Sequence, residues 1–485
     1  MAGRRFFQKG HASFSNPTLV SGVSPKRFAL GVGALALAGV AAFAFSTRSQ
    51  RAELKTPSLD NITLASLRPP ASATPELRAA DEVAPPTGKL ASGLVSRPLS
   101  SEALQESLPL LGQAEARLIH IYQLISASDR RQALKEAEAL ARDHPNFHLA
   151  NLVLGDLLSV YSRPIRQLGD VPDASALAVS KQLEMLREQS RRRMLALTER
   201  PPEGSVPSQF LSLSTQSRHA IAVDASRSRL YLFENTQTGG SGAPSAMKLV
   251  GDYYISVGQS GVEKVSEGDL RTPVGVYYIT SSLDPSKLPD LYGAGALPIN
   301  YPNPLDTQRG KTGSGIWLHG SPSEQFARPP QASEGCVVLS NQDLKTLLAK
   351  VKVRTTPVVI APELHWVKSD ALNGERQQFE QSLESWRQVK SQGDLAQLKT
   401  FYSQRFDNQG QKLGDWWPRM ENEVHAQGRQ SVSLKDLSVL NWRDTDDTMV
   451  VTFGELVAGK SRGVTKRQYW IREGQAWKIF WEGTV

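Results

Sequence analysis

The chain of 485 residues has a single cysteine, Cys336. That scarcity excludes an internal disulfide and any metal site built from several thiolates. It leaves two readings: an inert thiol packed as a small hydrophobe, or a nucleophile. Zinc-finger spacing is also missing, and no strand carries an aromatic RNA-binding signature. The 56 Lys and Arg residues are spread along the chain. The basic balance, with net charge +8 and pI near 9.4, therefore does not point to nucleic acid. A polyanionic cell wall, a phospholipid surface or plain surface bias would each suit it. No metal and no cofactor are expected.

At the N-terminus, residues 28–45 form an uninterrupted apolar run. Arg4, Arg5, Lys9, Lys26 and Arg27 precede it, and no acidic residue does. About twenty helical residues cross a hydrocarbon core, so the run is long enough to span. Positive charge on its N-terminal flank holds that end in the cytoplasm. Residues 1–27 thus read as a cytoplasmic basic segment and 28–45 as a transmembrane anchor or signal. Ala42-Phe43-Ala44 has the small-x-small look of a cleavage site. Everything beyond would be periplasmic, anchored to the inner membrane or released after cleavage. In that oxidising space a lone thiol has no second thiol to pair with.

Residues 46–100 are rich in Pro, Ser, Thr and Ala and poor in large apolar residues, which marks a flexible linker. From 101 to 200 the pattern is helical. Leu118, Ile119, Tyr122 and Ile125 recur at helical spacing, and a second helix stops before Pro145. A third carries Leu149, Leu152, Val153, Leu157 and Val160. A fourth, about 174–198, carries Leu183, Leu186, Met194 and Leu197 beside Arg191, Arg192 and Arg193. This region reads as structural support or as the face of a homodimer, in preference to a substrate-binding element.

The period then changes to two. His219–Asp224 and Arg229–Phe233 read as strands joined by a polar turn, and further short strands with Gly and Pro turns make 210–362 a mostly-β domain. Residues 374–485 have two helical runs, one with Phe379, Leu383, Trp386 and Val389, the next with Leu395, Leu398, Phe401 and Tyr402. Four strands follow. That order implies an α+β domain, a curved sheet wrapped around helices. The fold class is thus multidomain: membrane segment, α-helical region, mostly-β domain and α+β domain.

Cys336 sits in Ser333-Glu334-Gly335-Cys336, and upstream Ile316-Trp317-Leu318 closes on His319-Gly320. A thiol becomes a nucleophile when an imidazole takes its proton. Gly320 and Gly335 leave room for a substrate backbone, and the N–H groups around Gly335 and Cys336 are candidates for an oxyanion hole.

Three motifs in order, Gly268-Asp269-Leu270-Arg271-Thr272-Pro273-Val274-Gly275, His319-Gly320 and Ser333-Glu334-Gly335-Cys336, resemble the L,D-transpeptidase (YkuD) catalytic domain family. The resemblance implies that Cys336 is the nucleophile and His319 the base. Ser333 and Gly335 would then shape the turn, with Gly320 beside the base. Glu334 stands where many members have His, and Val338 where many have Arg. Arg328, in the intervening loop, is the candidate to hold a substrate carboxylate instead.

The C-terminal region, with Trp386, Gly393-Asp394, Tyr402, Phe406, Trp416 and Trp477-Lys478-Ile479, resembles an NTF2-like domain. This pairing is similar to the cell-shape L,D-carboxypeptidases of helical bacteria. It implies a partner, the peptidoglycan stem peptide, and acyl transfer at the diamino acid–D-Ala bond. A cross-linking transpeptidase, a trimming carboxypeptidase and a non-catalytic peptidoglycan-binding scaffold are the alternatives.

Overall fold

The computed structural model describes residues 108–170, 180–237 and 247–485. The segments 1–27, 28–45 and 46–100 lie outside these residues. Among the described residues no helix is long and apolar enough to cross a membrane.

Four helices come first: α1 Gln113–Ser126, α2 Arg130–Asp143, α3 His148–Ser159 and α4 Ser180–Thr198. The Asp129 side chain accepts from the Gln132 N–H and starts α2. Leu118, Ala133, Leu140, Phe147, Leu149 and Val153 form the core of this layer. The helix α4 departs from the expected apolar face, because Met194 is 42% exposed while Arg193 is 2% exposed. The Arg193 guanidinium pairs with Glu115 at 2.8 Å and lies 3.9 Å from the centre of the Tyr254 ring. An ionic and cation–π contact thus sets the rotation of α4, where periodicity expects a hydrophobic one.

The next domain contains β1 His219–Asp224, β2 Arg229–Asn235, β3 Met247–Tyr254, β4 Gly275–Tyr278, β5 Ala296–Pro298, β6 Trp317–His319, β7 Val337–Val338 and β8 Pro357–Ala361. The helix α5, Asn341–Lys350, lies between β7 and β8. One sheet has the order β3-β2-β1-β8-β4, with β8 parallel to β1 and the other pairings antiparallel. A smaller sheet has the order β7-β6-β5. Ile221 and Val223 face this small sheet and α5, whereas Ala220 and Ala222 face the opposite way into a second core. A sheet covered on both faces explains why β1 is buried along its whole length.

Arg229, at the start of β2, joins the helical layer to this sheet. Its guanidinium is fully buried between Asp252 at 2.6 Å and Glu115 of α1 at 2.8 Å. Removing one member leaves an uncompensated buried charge. Arg229→Ala is therefore expected to lower stability by about 3–5 kcal/mol. A lower urea midpoint at unchanged slope is the measurement.

In the C-terminal region α6 Asn373–Gln392 and α7 Leu413–Gln427 pack on four antiparallel strands, β9 Val432–Arg443, β10 Asp447–Val457, β11 Val464–Glu473 and β12 Ala476–Thr484. Register shifts at Lys435–Ser438 and Tyr469–Trp470 bend the sheet over the helices. The second expected helical run is only the short helix Leu395–Lys399. The helix α7 is not among the expected elements, and it carries inside it Pro418, a residue that usually breaks helices. Placed in the second turn, it forgoes one backbone bond while Trp416, Trp417, Met420 and Val424 fill the core.

Phe210–Ser212, expected to open the mostly-β domain, instead pairs with β9 as the fifth strand of the C-terminal sheet. The outer face of that sheet packs directly on the larger sheet of the preceding domain. Tyr231, Phe233 and Val359 share one core with Leu440, Trp442, Tyr469 and Phe480. Leu364 and Leu372, in the join between the two domains, are buried in it. The two domains are fused rather than tethered.

Candidate active site

The pairing of β6 with β7 brings the chemistry together. These strands run parallel, with Val337 opposite Leu318 and Val338 opposite His319. One residue earlier, Cys336 therefore stands beside Trp317. Side chains alternate across a strand, so Cys336, Trp317 and His319 share one face, while Leu318 and Val337 point into the core. The thiol and the imidazole are diagonal neighbours across two strands, about 7–8 Å apart at the backbone. At rest the Cys336 Sγ donates to the Gly315 carbonyl at 3.6 Å, so a side-chain rotation must turn it toward His319.

The imidazole is 3% exposed. Its Nδ1 lies 2.7 Å from the Gly320 carbonyl. A carbonyl only accepts, so Nδ1 carries the proton and Nε2 keeps its lone pair for a proton from the thiol. Burial lowers the His319 pKa to about 4; the Gly320 bond opposes this, and the Arg328 charge adds to it. Burial pushes the Cys336 thiol up, opposed by the Trp317 N–H and the Arg328 charge. At neutral pH the resting pair is thus thiol and neutral imidazole. It is not a preformed thiolate–imidazolium pair.

The turn before Cys336 is held from several sides. The Ser333 hydroxyl donates to the Cys336 carbonyl at 2.6 Å and accepts from the Gly335 N–H at 3.1 Å. Gly335 has φ +126°, and a Cβ there would lie 2.8 Å from the Arg271 carbonyl oxygen. Only glycine fits that conformation and that space. The Thr272 hydroxyl, from the Thr-Pro turn, accepts from Gly258 at 2.9 Å. Gly258 in turn pairs with Ser333. All three sequence motifs therefore meet here.

Two candidate oxyanion donors are already engaged. The Gly335 N–H goes to Ser333, and the Gly320 N–H goes to the Tyr292 carbonyl at 3.1 Å. Gly320 is needed because a Cβ would collide with Asn341. Asn341 accepts from the Ala294 N–H and donates to the Ser321 carbonyl, which ties the loop before β5 to the end of β6. Among the described residues the Cys336 N–H has no partner. It is the donor left for a developing oxyanion.

Arg328 is half-buried. Burial pushes its pKa below the ordinary arginine value, and the Glu334 carboxylate, with Cys336 once it is ionised, opposes this. Its Nη1 reaches the Ala332 carbonyl at 3.4 Å, and its buried Nε has no partner among the described residues. Its charge acts on both Cys336 and His319, and a guanidinium so placed suits a substrate carboxylate. Glu334 is exposed at the mouth of the site.

Tyr292 and Trp317 complete the wall and were not singled out by sequence. The Tyr292 ring meets His319 edge-on, with centroids 5.0 Å apart, and meets Trp317 at 4.7 Å. Trp317 carried a signal, its place two residues before His319 on one strand. Tyr292 carried only its position before Gly293 in a loop. Where α6 and α7 cover the C-terminal sheet, Lys390 of α6 and Lys466 of β11 are buried among Glu423, Glu455 and Glu482, all ion-paired.

Residues 218–360 match the family model of the L,D-transpeptidase catalytic domain (YkuD), a span containing both His319 and Cys336. Residues 378–483 match that of the Cds6 C-terminal NTF2-like domain. Among solved structures, the chain is similar to Bd1075 of Bdellovibrio bacteriovorus, at 27% identity and TM-score 0.48 over 58% of this chain and 98% of that one. It is also similar to the helical cell shape determining protein Pgp2 of Campylobacter jejuni, at 20% identity and TM-score 0.44 over 57% and 95%. No curated protein matches the sequence.

Proposed function

We propose that, through this catalytic domain, the chain performs cysteine acyl transfer on peptidoglycan tetrapeptide stems in cell-wall biogenesis. The observation that carries the reading is the shared face of β6 and β7, where a free Nε2 of His319 accompanies the Cys336 thiol and Arg328. In the first step Cys336 Sγ attacks the carbonyl at the L-centre of the diamino acid while His319 Nε2 takes the thiol proton. The oxyanion forms at the Cys336 N–H. Collapse breaks the peptide bond, and His319 returns the proton to the amine of the leaving D-alanine. Arg328 holds the carboxylate of that D-alanine. In the second step an amine of another stem attacks the thioester and forms a cross-link, or water attacks and leaves a tripeptide. The periplasm is the place for this substrate, and the apolar run 28–45 supports that location.

Incubating the full chain with disaccharide tetrapeptide and following products by mass spectrometry is the test. Loss of D-alanine is expected with the native chain and none with Cys336→Ala. A cross-linked dimer on adding a second stem marks transpeptidation, and tripeptide alone marks trimming. No D-alanine release, or equal release by Cys336→Ala, overturns the enzyme reading and leaves a binding scaffold.

A further inference from the structure

The loop between His319 and Cys336 is fastened to the helical layer at three points. Phe326 leaves the catalytic domain and inserts into the helical core, stacked on Phe147 with centroids 4.3 Å apart and meeting His144 edge-on at 5.2 Å. The turn between α2 and α3 grips the same loop through its backbone. The Phe326 N–H donates to the Asn146 carbonyl at 3.0 Å, and the Asn146 side chain donates to the Ser323 carbonyl at 2.9 Å. Two residues after Phe326, the Arg328 carbonyl accepts from Gln189 of α4 at 3.2 Å and from the Tyr254 hydroxyl at 3.0 Å. Gln189 is 3% exposed, so its donor has been taken out of water for this bond. Arg193, one turn further along α4, covers the ring of that same Tyr254.

We infer that the helical layer is a clamp for the anion-recognising segment of the active site, with Phe326, Asn146 and Gln189 as positioning residues that hold Arg328 toward the Cys336 thiol. The segment lacks strand pairing between Ser321 and Pro330. Its own backbone therefore does little to fix where a long side chain points. A guanidinium recognises a carboxylate by direction as well as charge, so the main-chain carbonyl of Arg328 is an effective place to anchor it. The ligand class is a carboxylate one residue beyond the bond attacked by the thiol. On the acyl-transfer reading above, that is the free terminus of a tetrapeptide stem. The clamp makes the helical layer part of substrate selection.

The test rests on that reading only for the identity of the carboxylate, because it needs no turnover. Rates of Cys336 alkylation are measured with iodoacetate, which is anionic, and with iodoacetamide, which is neutral. Arg328→Gln should lower the iodoacetate-to-iodoacetamide rate ratio by about tenfold, as loss of a local positive charge requires. Phe326→Ala and Gln189→Leu should each lower it by about threefold or more while the iodoacetamide rate stays within about twofold. Gln189→Leu keeps side-chain volume and supplies the answer if Phe326→Ala fails to fold. A ratio unchanged in Gln189→Leu and in folded Phe326→Ala overturns the clamp. An equal fall with both reagents does so too, since it locates the effect at the thiol and not at Arg328. D-alanine release can fail altogether without altering these ratios, so the clamp and the enzymatic reading stand or fall separately.

Discussion

Cys336→Ser is expected to lower D-alanine release at least about 10⁴-fold, as losses of catalytic nucleophiles do. A hydroxyl in place of the thiol keeps the hydrogen-bonding shape and nearly the size of the residue, so folding should be unaffected. The deficit arises from acidity. His319 is held near pKa 4 by burial, which makes it a weak base. It can accept a proton from a thiol whose attack is already under way, but it is far too weak to help a serine hydroxyl. The same argument predicts that the native chain, stopped during turnover, carries a peptide thioester on Cys336 visible by intact mass. Cys336→Ser should carry none. Serine activity within tenfold of native would show that another residue performs the attack.

His319→Ala should lower kcat/KM by about 10²–10⁴-fold, the usual contribution of a positioned base. The pH profile separates this role from a structural one. The base works only when neutral, so native activity is present above about pH 4 and falls below it as His319 gains a proton. Without the imidazole that acid limb disappears. Residual activity should instead rise with pH as the Cys336 thiol, pushed up by burial, begins to ionise. A variant that loses activity while keeping the native limb near pH 4 would assign the limb to another group.

Local pattern carried much of this architecture. The hairpin at Ala225–Ser228, the helix after Cys336 and the strand ending at His319 follow from alternation and turn residues close in sequence. The three sequence motifs were visible for the same reason. What the fold adds is that Thr272 and Ser333 meet through Gly258, and that the strand ending at His319 pairs with the one after Cys336. Long-range choices left little trace. Arg193 is a buried residue because Glu115 and Tyr254 lie opposite it, and nothing in the spacing along α4 says so. The Tyr292 ring reaches His319 from a separate loop. Helix α7 contradicts the usual reading of proline, and tertiary packing of two tryptophans outweighs the lost backbone bond. Phe210–Ser212 crosses to the C-terminal sheet because edge pairing is decided by what the other domain offers, not by the residues themselves.

The common core of Tyr231 and Phe233 with Tyr469 and Phe480 has a mechanical consequence. Among the described residues no hinge separates the cleft at Cys336 from the C-terminal sheet. Their distance and bearing are fixed by close-packed aromatic rings, and such interiors yield little to load. The fused pair therefore moves as one body, and a load on the C-terminal sheet reaches the cleft with no joint to absorb it.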